Sequence, residues 1–467
     1  MRRSLSILLV VLAAFDAVGA RPELAATIVE QRHTLQYVRE LTAAGPRLTG
    51  TDAYERAARW AAQELRAAGI DAVTLETFAI ADGWQRDRAS ARIVAPIEKT
   101  LHVAALGWTP STRDGGVVAD VVALGRETPA RIAASAARLQ GRIVLLPDND
   151  ASGPSEIVAR RHREIDAALR DAGALAILSP DPDAEISGAA HDRDGSAVSA
   201  DLLSARDRAA GAALGALPAA QIGADDARTI RALLDRGSVR MAIDLQNRVT
   251  PGPVKVSNVV GEIRGRDRLR EWVLVGAHLD SWDLGPSAQD NATGVAMVLD
   301  AARAIAALDQ RPRRSIRLAL WGGEEEGQLG SGAYVRAHAG ELDNCVAVLN
   351  SDAGTGRLIG WTAPGRADVA TAVRPLLEPL QRAVGAITFD TSMRYAFQSD
   401  GAAFIRAGIP TLDLNADDSH YEEIHHKTTD TIDRVDSVQL TAGAAAVAAT
   451  AYAIADAPTR IVARRRR

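Results

Sequence analysis

One cysteine, three lysines and an amino-terminal apolar run too short to span a bilayer set the first limits on this 467-residue chain. Cys345 stands alone, so no internal disulfide forms, and its place at the start of an apolar run marks it for packing rather than chemistry. Lysine occurs only at Lys99, Lys255 and Lys427, so basic charge is almost all arginine; with the abundant alanine this reads as coding bias. A net charge of −5 offers no basic surface for nucleic acid, which is not expected as a partner. No polar tract is long enough for wholesale disorder, and a hydrophobic fraction of 47% suffices for a packed core. The apolar run Leu5–Phe15 falls short of the roughly 18–20 residues a membrane-spanning helix needs, so stable membrane insertion is not expected.

That run instead completes a leader. Arg2 and Arg3 precede it, and Val18-Gly-Ala20 follows as a small-residue cleavage site. The mature chain is expected to be secreted or periplasmic after cleavage near Ala20. Residues 21–92 read as two helices broken at Pro46-Arg-Leu-Thr-Gly50, then a strand over Asp71–Phe78, with a change of region at Trp84. Residues 93–248 have another texture, with strand-like pieces at 117–124, 142–146, 174–178 and 239–245, and a helix over 160–172. This segment is expected to be an inserted, non-catalytic domain. Its His191, beside Asp192, sits in an Asp- and Gly-rich loop and reads as solvated. From 249 to 467 strands alternate with helices. The expected fold is α/β: a mostly parallel sheet covered by helices on both faces, interrupted by a smaller α/β insertion.

The chemistry sits at the ends of the apolar runs. Trp272-Val-Leu-Val-Gly leads to His278 and Asp280, Ile316-Arg-Leu-Ala-Leu leads to Glu324-Glu325-Glu326-Gly327, and Val346-Ala-Val-Leu leads to Asp352. Asp290 lies in a turn before a helix, and His425-His426 precede Asp430-Thr431, with His426 four residues before Asp430. In open α/β sheets the ligand crevice lies at the carboxyl ends of the strands. Charged groups gathered there need one another or a metal to offset desolvation. Two histidines and several carboxylates without cysteine suit one or two zinc ions. The His278-x-Asp280 spacing puts both side chains on one side of an extended segment, so that Asp280 can orient a ligating imidazole. By itself, the triple Glu leaves open whether 324/325 or 325/326 is the working pair.

Taken in this order, the stretches resemble the zinc peptidase family of bacterial secreted aminopeptidases and carboxypeptidase Q. Pro46-Arg-Leu-Thr-Gly50 and Trp84 resemble its amino-terminal segment, and Gly141-Arg-Ile-Val-Leu its inserted protease-associated domain. The resemblance implies two zinc ions per chain: His278 and Asp352 on one, Glu325 and His426 on the other, Asp290 bridging both across a cis peptide to Asn291. It implies Glu324 as general base, because the family's Glu-Glu-x-Gly order places Gly327 third after the base, and it selects His426 over His425 by the spacing to Asp430. Water bridging such ions turns to hydroxide near neutral pH, attacks a peptide carbonyl, and passes its proton through Glu324 to the leaving amine. Tyr395 is a candidate for stabilising the oxyanion, Ser399, Asp400 and His425 for lining the substrate pocket, and Trp282 and Trp321 for walling it. The expected partners are short peptides, as substrates; a homodimer stays open, as does the choice among aminopeptidase, carboxypeptidase and dipeptidase. The competing readings are a non-enzymatic binding ectodomain on the same fold and a glutaminyl cyclase-like transferase with a single zinc.

Overall fold

The computed structural model describes residues 33–464 apart from 71, 149–154, 183–214, 385–386 and 395, together with Leu24, Thr27, Ile28 and Glu30. The leader with its cleavage site, His191 and Tyr395 therefore lie outside the described residues. The strands are β1 (Ala72–Ala95), β2 (Lys99–Leu101), β3 (Val103–Ala105), β4 (Val117–Ala123), β5 (Ile143–Leu145), β6 (Ala176–Pro180), β7 (Ala219–Ile222), β8 (Arg240–Ile263), β9 (Arg268–His278), β10 (Arg314–Trp321), β11 (Cys345–Asn350), β12 (Leu358–Thr362), β13 (Thr388–Asp390) and β14 (Thr411–Ala416). They join in one 14-stranded sheet of order β13-β12-β14-β11-β9-β10-β8-β4-β5-β6-β7-β3, with β1 and β2 off this path.

Its centre is parallel: β14, β11, β9 and β10 run the same way. β10, β11 and β9 from Trp272 onward are buried almost throughout, as continuous apolar runs require when helices cover both faces. The sheet as a whole is mixed, because β8 joins β10 and β12 joins β14 antiparallel. The long antiparallel pairing of β1 with β8, from Ala72 opposite Glu262 to Ala95 opposite Arg240, accounts for much of this. Trp84 does not open a new region. It lies inside β1, opposite Val249, because Ile80, Ala81 and Trp84 are all buried and carry the strand onward. The boundaries expected at 92/93 and 248/249 fall within these two paired strands. Between them, Leu106, Leu139, Val144, Leu169, Ile177 and Ala219 belong to an apolar cluster of their own.

Helices seal the parallel strands. Asp52–Ala67 starts where Thr51 Oγ1 accepts the Tyr54 N–H at 3.3 Å, and buries Tyr54, Ala58, Ala61 and Leu65. Thr293–Ala306 and Ser437–Asp456 pack against each other and are buried nearly all round. Ser437–Asp456 is apolar enough to cross a membrane by composition, yet its alanine-rich surface is core here. Small side chains allow close helix approach, and each leucine or valine buried contributes about 1.5–3 kcal/mol. The packing matters to the site because it fixes the carboxyl ends of β9, β10 and β11 side by side.

Candidate metal centre and active site

His278 is the last residue of β9 and is buried among polar side chains. Its Nδ1 lies 3.1 Å from the backbone carbonyl of Asp280. A carbonyl only accepts, so Nδ1 carries the proton and Nε2 presents a lone pair. That lone pair faces Asp290 Oδ1 at 3.1 Å and Asp352 Oδ1 at 3.4 Å. Acceptors facing acceptors in a buried site repel unless a cation sits among them, so this donor set fits a divalent metal. The other oxygen of Asp290 lies 2.9 Å from His426 Nε2, which is also 2.9 Å from Glu325 Oε2. One carboxylate thus divides two donor groups: His278 and Asp352 on one side, His426 and Glu325 on the other. Donor atoms of His278, Asp290 and Glu325 lie within 4.8 Å of one another, as do those of Asp290, His425 and His426. Nitrogen and carboxylate oxygen without sulfur is the chemistry of a zinc site.

The protein holds Asp290 by its backbone. The N–H groups of Gln289 and Asp290 donate to the two oxygens of Asp430 at 2.7 and 3.0 Å, and the Asp290–Asn291 peptide is cis. Asn291 then ties the loop to β11, donating to Ser351 O at 2.9 Å. His426 has a left-handed backbone, with φ 61°. Trp282 packs edge-on to its ring at 6.2 Å, whereas Trp321 packs on Tyr334 and Phe404 in the core.

The Glu turn is organised from Asp280. The Asp280 carboxylate accepts the N–H of Glu324 at 3.3 Å, that of Glu325 at 3.2 Å and the hydroxyl of Thr49 at 3.0 Å. It stands 3.8 Å from the His278 ring nitrogen, so the imidazole is oriented by the Asp280 main chain rather than by its side chain. Glu324 is partly exposed, while Glu325 and Glu326 are buried. Burial, reinforced by neighbouring carboxylates, raises Glu324 well above the usual carboxyl range. Burial and the Asp290 charge push Glu325 up to about 7.

Of the remaining candidates, Ser399 accepts from Asn350 Nδ2 at 2.9 Å, which joins its loop to the end of β11. Asp400 is wholly buried and makes no capping bond, and burial raises it to about 8. His425 is partly exposed, its ring on His426 with centroids 3.6 Å apart and its Nε2 3.4 Å from Asp290 Oδ2. Burial and the neighbouring His426 lower it to about 3, so it is a neutral imidazole.

Three supporting residues escape a reading of the sequence alone. Arg47 is fully buried and donates to the carbonyls of Leu279, Pro286 and Ser287 at 2.8–3.1 Å. Thr49 joins Asp280 to the N–H of Gly323. Asp430 figures in the sequence only as a spacing mark. The Pro46–Gly50 stretch therefore braces the site from more than 200 residues away, and its one local signal is the motif itself.

Residues 258–451 match the family model described as "Peptidase family M28". The chain is 33% identical over 244 residues to carboxypeptidase Q of Xenopus laevis, covering 51% of this chain and 50% of that protein. It is 31% identical over 241 residues to carboxypeptidase Q of Homo sapiens, again covering 51% and 50%. The chain thus spans about half the length of the curated relatives it matches. Among solved structures, a peptidase M28 precursor from Shewanella amazonensis aligns over 99% of this chain and 100% of its own, at 27% identity and TM-score 0.77. A zinc aminopeptidase from Bacillus subtilis shares the fold over 90% and 93%, at 20% identity and TM-score 0.67. The family match falls on the strands and loops that build the site, and the Shewanella amazonensis likeness covers nearly the whole fold: residues 258–451 resemble peptidase family M28.

Proposed function

We propose that this chain is a zinc-dependent exopeptidase that hydrolyses short peptides, of aminopeptidase or dipeptidase type. One observation carries the reading: the two oxygens of Asp290 each lie about 3 Å from a different histidine nitrogen, with a further carboxylate on each side. His278, Asp352 and one oxygen of Asp290 would hold one ion, and His426, Glu325 and the other oxygen a second. Such ions, when bound, polarise the scissile carbonyl and acidify a shared water. Glu324, kept basic enough by its raised pKa, takes the proton of the attacking water and delivers it to the leaving amine. Asp280 fixes the Glu324 and Glu325 main chain so that both carboxylates hold their places. Tyr395 would donate to the oxyanion, and Ser399, Asp400 and His425 would line or support the pocket. Residues 93–248 form an inserted protease-associated-like unit in this reading, supported by their separate apolar cluster. The basic, apolar and small-residue succession in residues 1–20 supports export with cleavage near Ala20.

The test is a matched peptide set incubated with the zinc-loaded protein and read by mass spectrometry. The set holds free dipeptides, longer free peptides and the same peptides with acetylated amino ends. Cleavage confined to free amino ends supports the proposal, and its length dependence separates aminopeptidase from dipeptidase. Release of the last residue from acetylated peptides assigns carboxypeptidase activity instead. No cleavage of any peptide by zinc-loaded protein refutes the reading. The same spectra, taken on protein purified from an exporting host, report whether the mature chain begins at Arg21.

A further inference from the structure

Tyr421 lies in the metal centre but is absent from its donor set. Its ring lies over Gly354: a Cβ built there would meet Tyr421 ring carbons at 3.1 and 3.2 Å. Gly354 has φ 59° and stands two residues after Asp352. The next residue, Thr355, is bound through its N–H and hydroxyl to the side chain of Gln289, at 2.8–3.0 Å, and Gln289 adjoins Asp290. The ring therefore rests on the junction of the two loops that carry Asp352 and Asp290. On its other side it meets His425, with ring centroids 5.1 Å apart. Tyr421 precedes His425 by four residues, and the His425 N–H donates to the Tyr421 carbonyl at 3.0 Å, so one helical turn sets both rings on the same wall.

What the hydroxyl does is the open point. It has no hydrogen-bond partner among the described residues and is not sealed from solvent. Burial and the charges of Asp290, Asp352, Asp430 and Glu325 raise the phenol well above its ordinary pKa, so it keeps its proton. A protonated donor with no acceptor among the described residues, its ring held between Gly354 and His425 beside an acceptor-rich site, is suited to an oxygen that arrives with the substrate. The site's own oxygens already face His278, His426 and the Glu turn; a peptide carbonyl brings the one that gains negative charge during attack.

Building on the hydrolase reading, we propose that the Tyr421 hydroxyl donates a hydrogen bond to the oxygen of the scissile carbonyl, strengthening as that oxygen becomes an oxyanion. Gly354 and His425 are positioning residues for the ring.

The experiment is Tyr421→Phe, which removes the hydroxyl and keeps the ring on Gly354 and His425. Zinc content and thermal midpoint should match the parent. The kcat should fall by roughly 10²-fold or more, the range for losing one oxyanion donor, with KM within about threefold. Binding measured by calorimetry supplies a readout apart from turnover. A phosphonate peptide, which carries tetrahedral oxygens, should lose affinity in the same proportion as kcat/KM. A reduced-amide peptide, which lacks the carbonyl oxygen, should bind parent and variant alike. A kcat within about threefold of the parent, a change confined to KM, or equal loss of both inhibitors overturns the proposal. If the parent cleaves peptides and the variant does so equally well, this inference alone falls. If the zinc-loaded parent cleaves none, the hydrolase reading falls and takes this one with it.

Discussion

Replacing Asp280 with asparagine separates two jobs that the His278-x-Asp280 spacing confounds. The carboxylate accepts three hydrogen bonds, from Thr49 Oγ1 at 3.0 Å, Glu324 N at 3.3 Å and Glu325 N at 3.2 Å. Asparagine keeps one acceptor oxygen and turns the other into a donor. Whichever way the amide faces, at least one N–H of the Glu pair is left pointing at an NH₂ group. A bond to a charged group contributes about 1.5–3 kcal/mol, and a buried donor stripped of its acceptor costs about 1–3 kcal/mol. With a tenfold rate change per ~1.4 kcal/mol, kcat/KM should fall about 10- to 100-fold as Glu324 drifts from its place. Metal should stay, because the bond that orients His278 goes to the Asp280 main-chain carbonyl at 3.1 Å, which the substitution leaves intact. The assay pairs peptide turnover with zinc content by mass spectrometry of the metal. Zinc loss in step with activity would refute the reasoning, since it would mean that the carboxylate itself holds the imidazole. Unchanged turnover would refute it from the other side.

Two further outcomes are expected. Glu324→Gln should retain zinc and lose turnover by about 10²–10⁴-fold, since it removes the proton carrier and no metal donor; retained turnover would move the base to another residue. In metal-free protein the thermal midpoint should fall as pH rises. Burial lifts Asp400 to about 8 and Asp413 to about 7, above their unfolded values, so the folded state binds more protons and stability is lost between about pH 4 and pH 8. Bound metal should shrink that slope by favouring the nearby charged carboxylates. Melting curves of chelated and zinc-loaded protein at pH 5, 6, 7 and 8 would check it, and a chelated midpoint that rises with pH would contradict the assignment.

Much of this molecule was legible because parallel strands buried on both faces leave a plain signature. The runs before His278, Glu324 and Asp352 are unbroken apolar stretches, and they became β9, β10 and β11, adjacent in the sheet. Each run ends in charge, and the crevice rule for such sheets brings those ends together. Sequence periodicity also carried the helix after Thr51 and the Ala-rich helix that closes the chain. It did not reach the mixed character of the sheet, because the long β1–β8 pairing joins residues up to 190 apart (262 − 72) and nothing local to either strand encodes a partner so distant. Trp84 reads as a boundary for the same reason: nothing local to it reveals Val249, its distant cross-strand neighbour.

The site divides along the same line. Residue types and their order, with the family resemblance, single out His278, Asp290, Glu324, Glu325, Asp352 and His426 as candidates, since a metal demands particular donors and strand ends supply them. How those donors divide was a matter of geometry: Asp290 aims one oxygen at each histidine, held by Asp430 from 140 residues away. Arg47 and Thr49 brace the loops, Asp280 acts through its main chain on one side and its carboxylate on the other, and Tyr421 presents a hydroxyl with no partner among the described residues. None of these follows from spacing. Hydrogen bonds and ring contacts between distant segments depend on where the backbone has already placed them, and only the packed tertiary structure decides that.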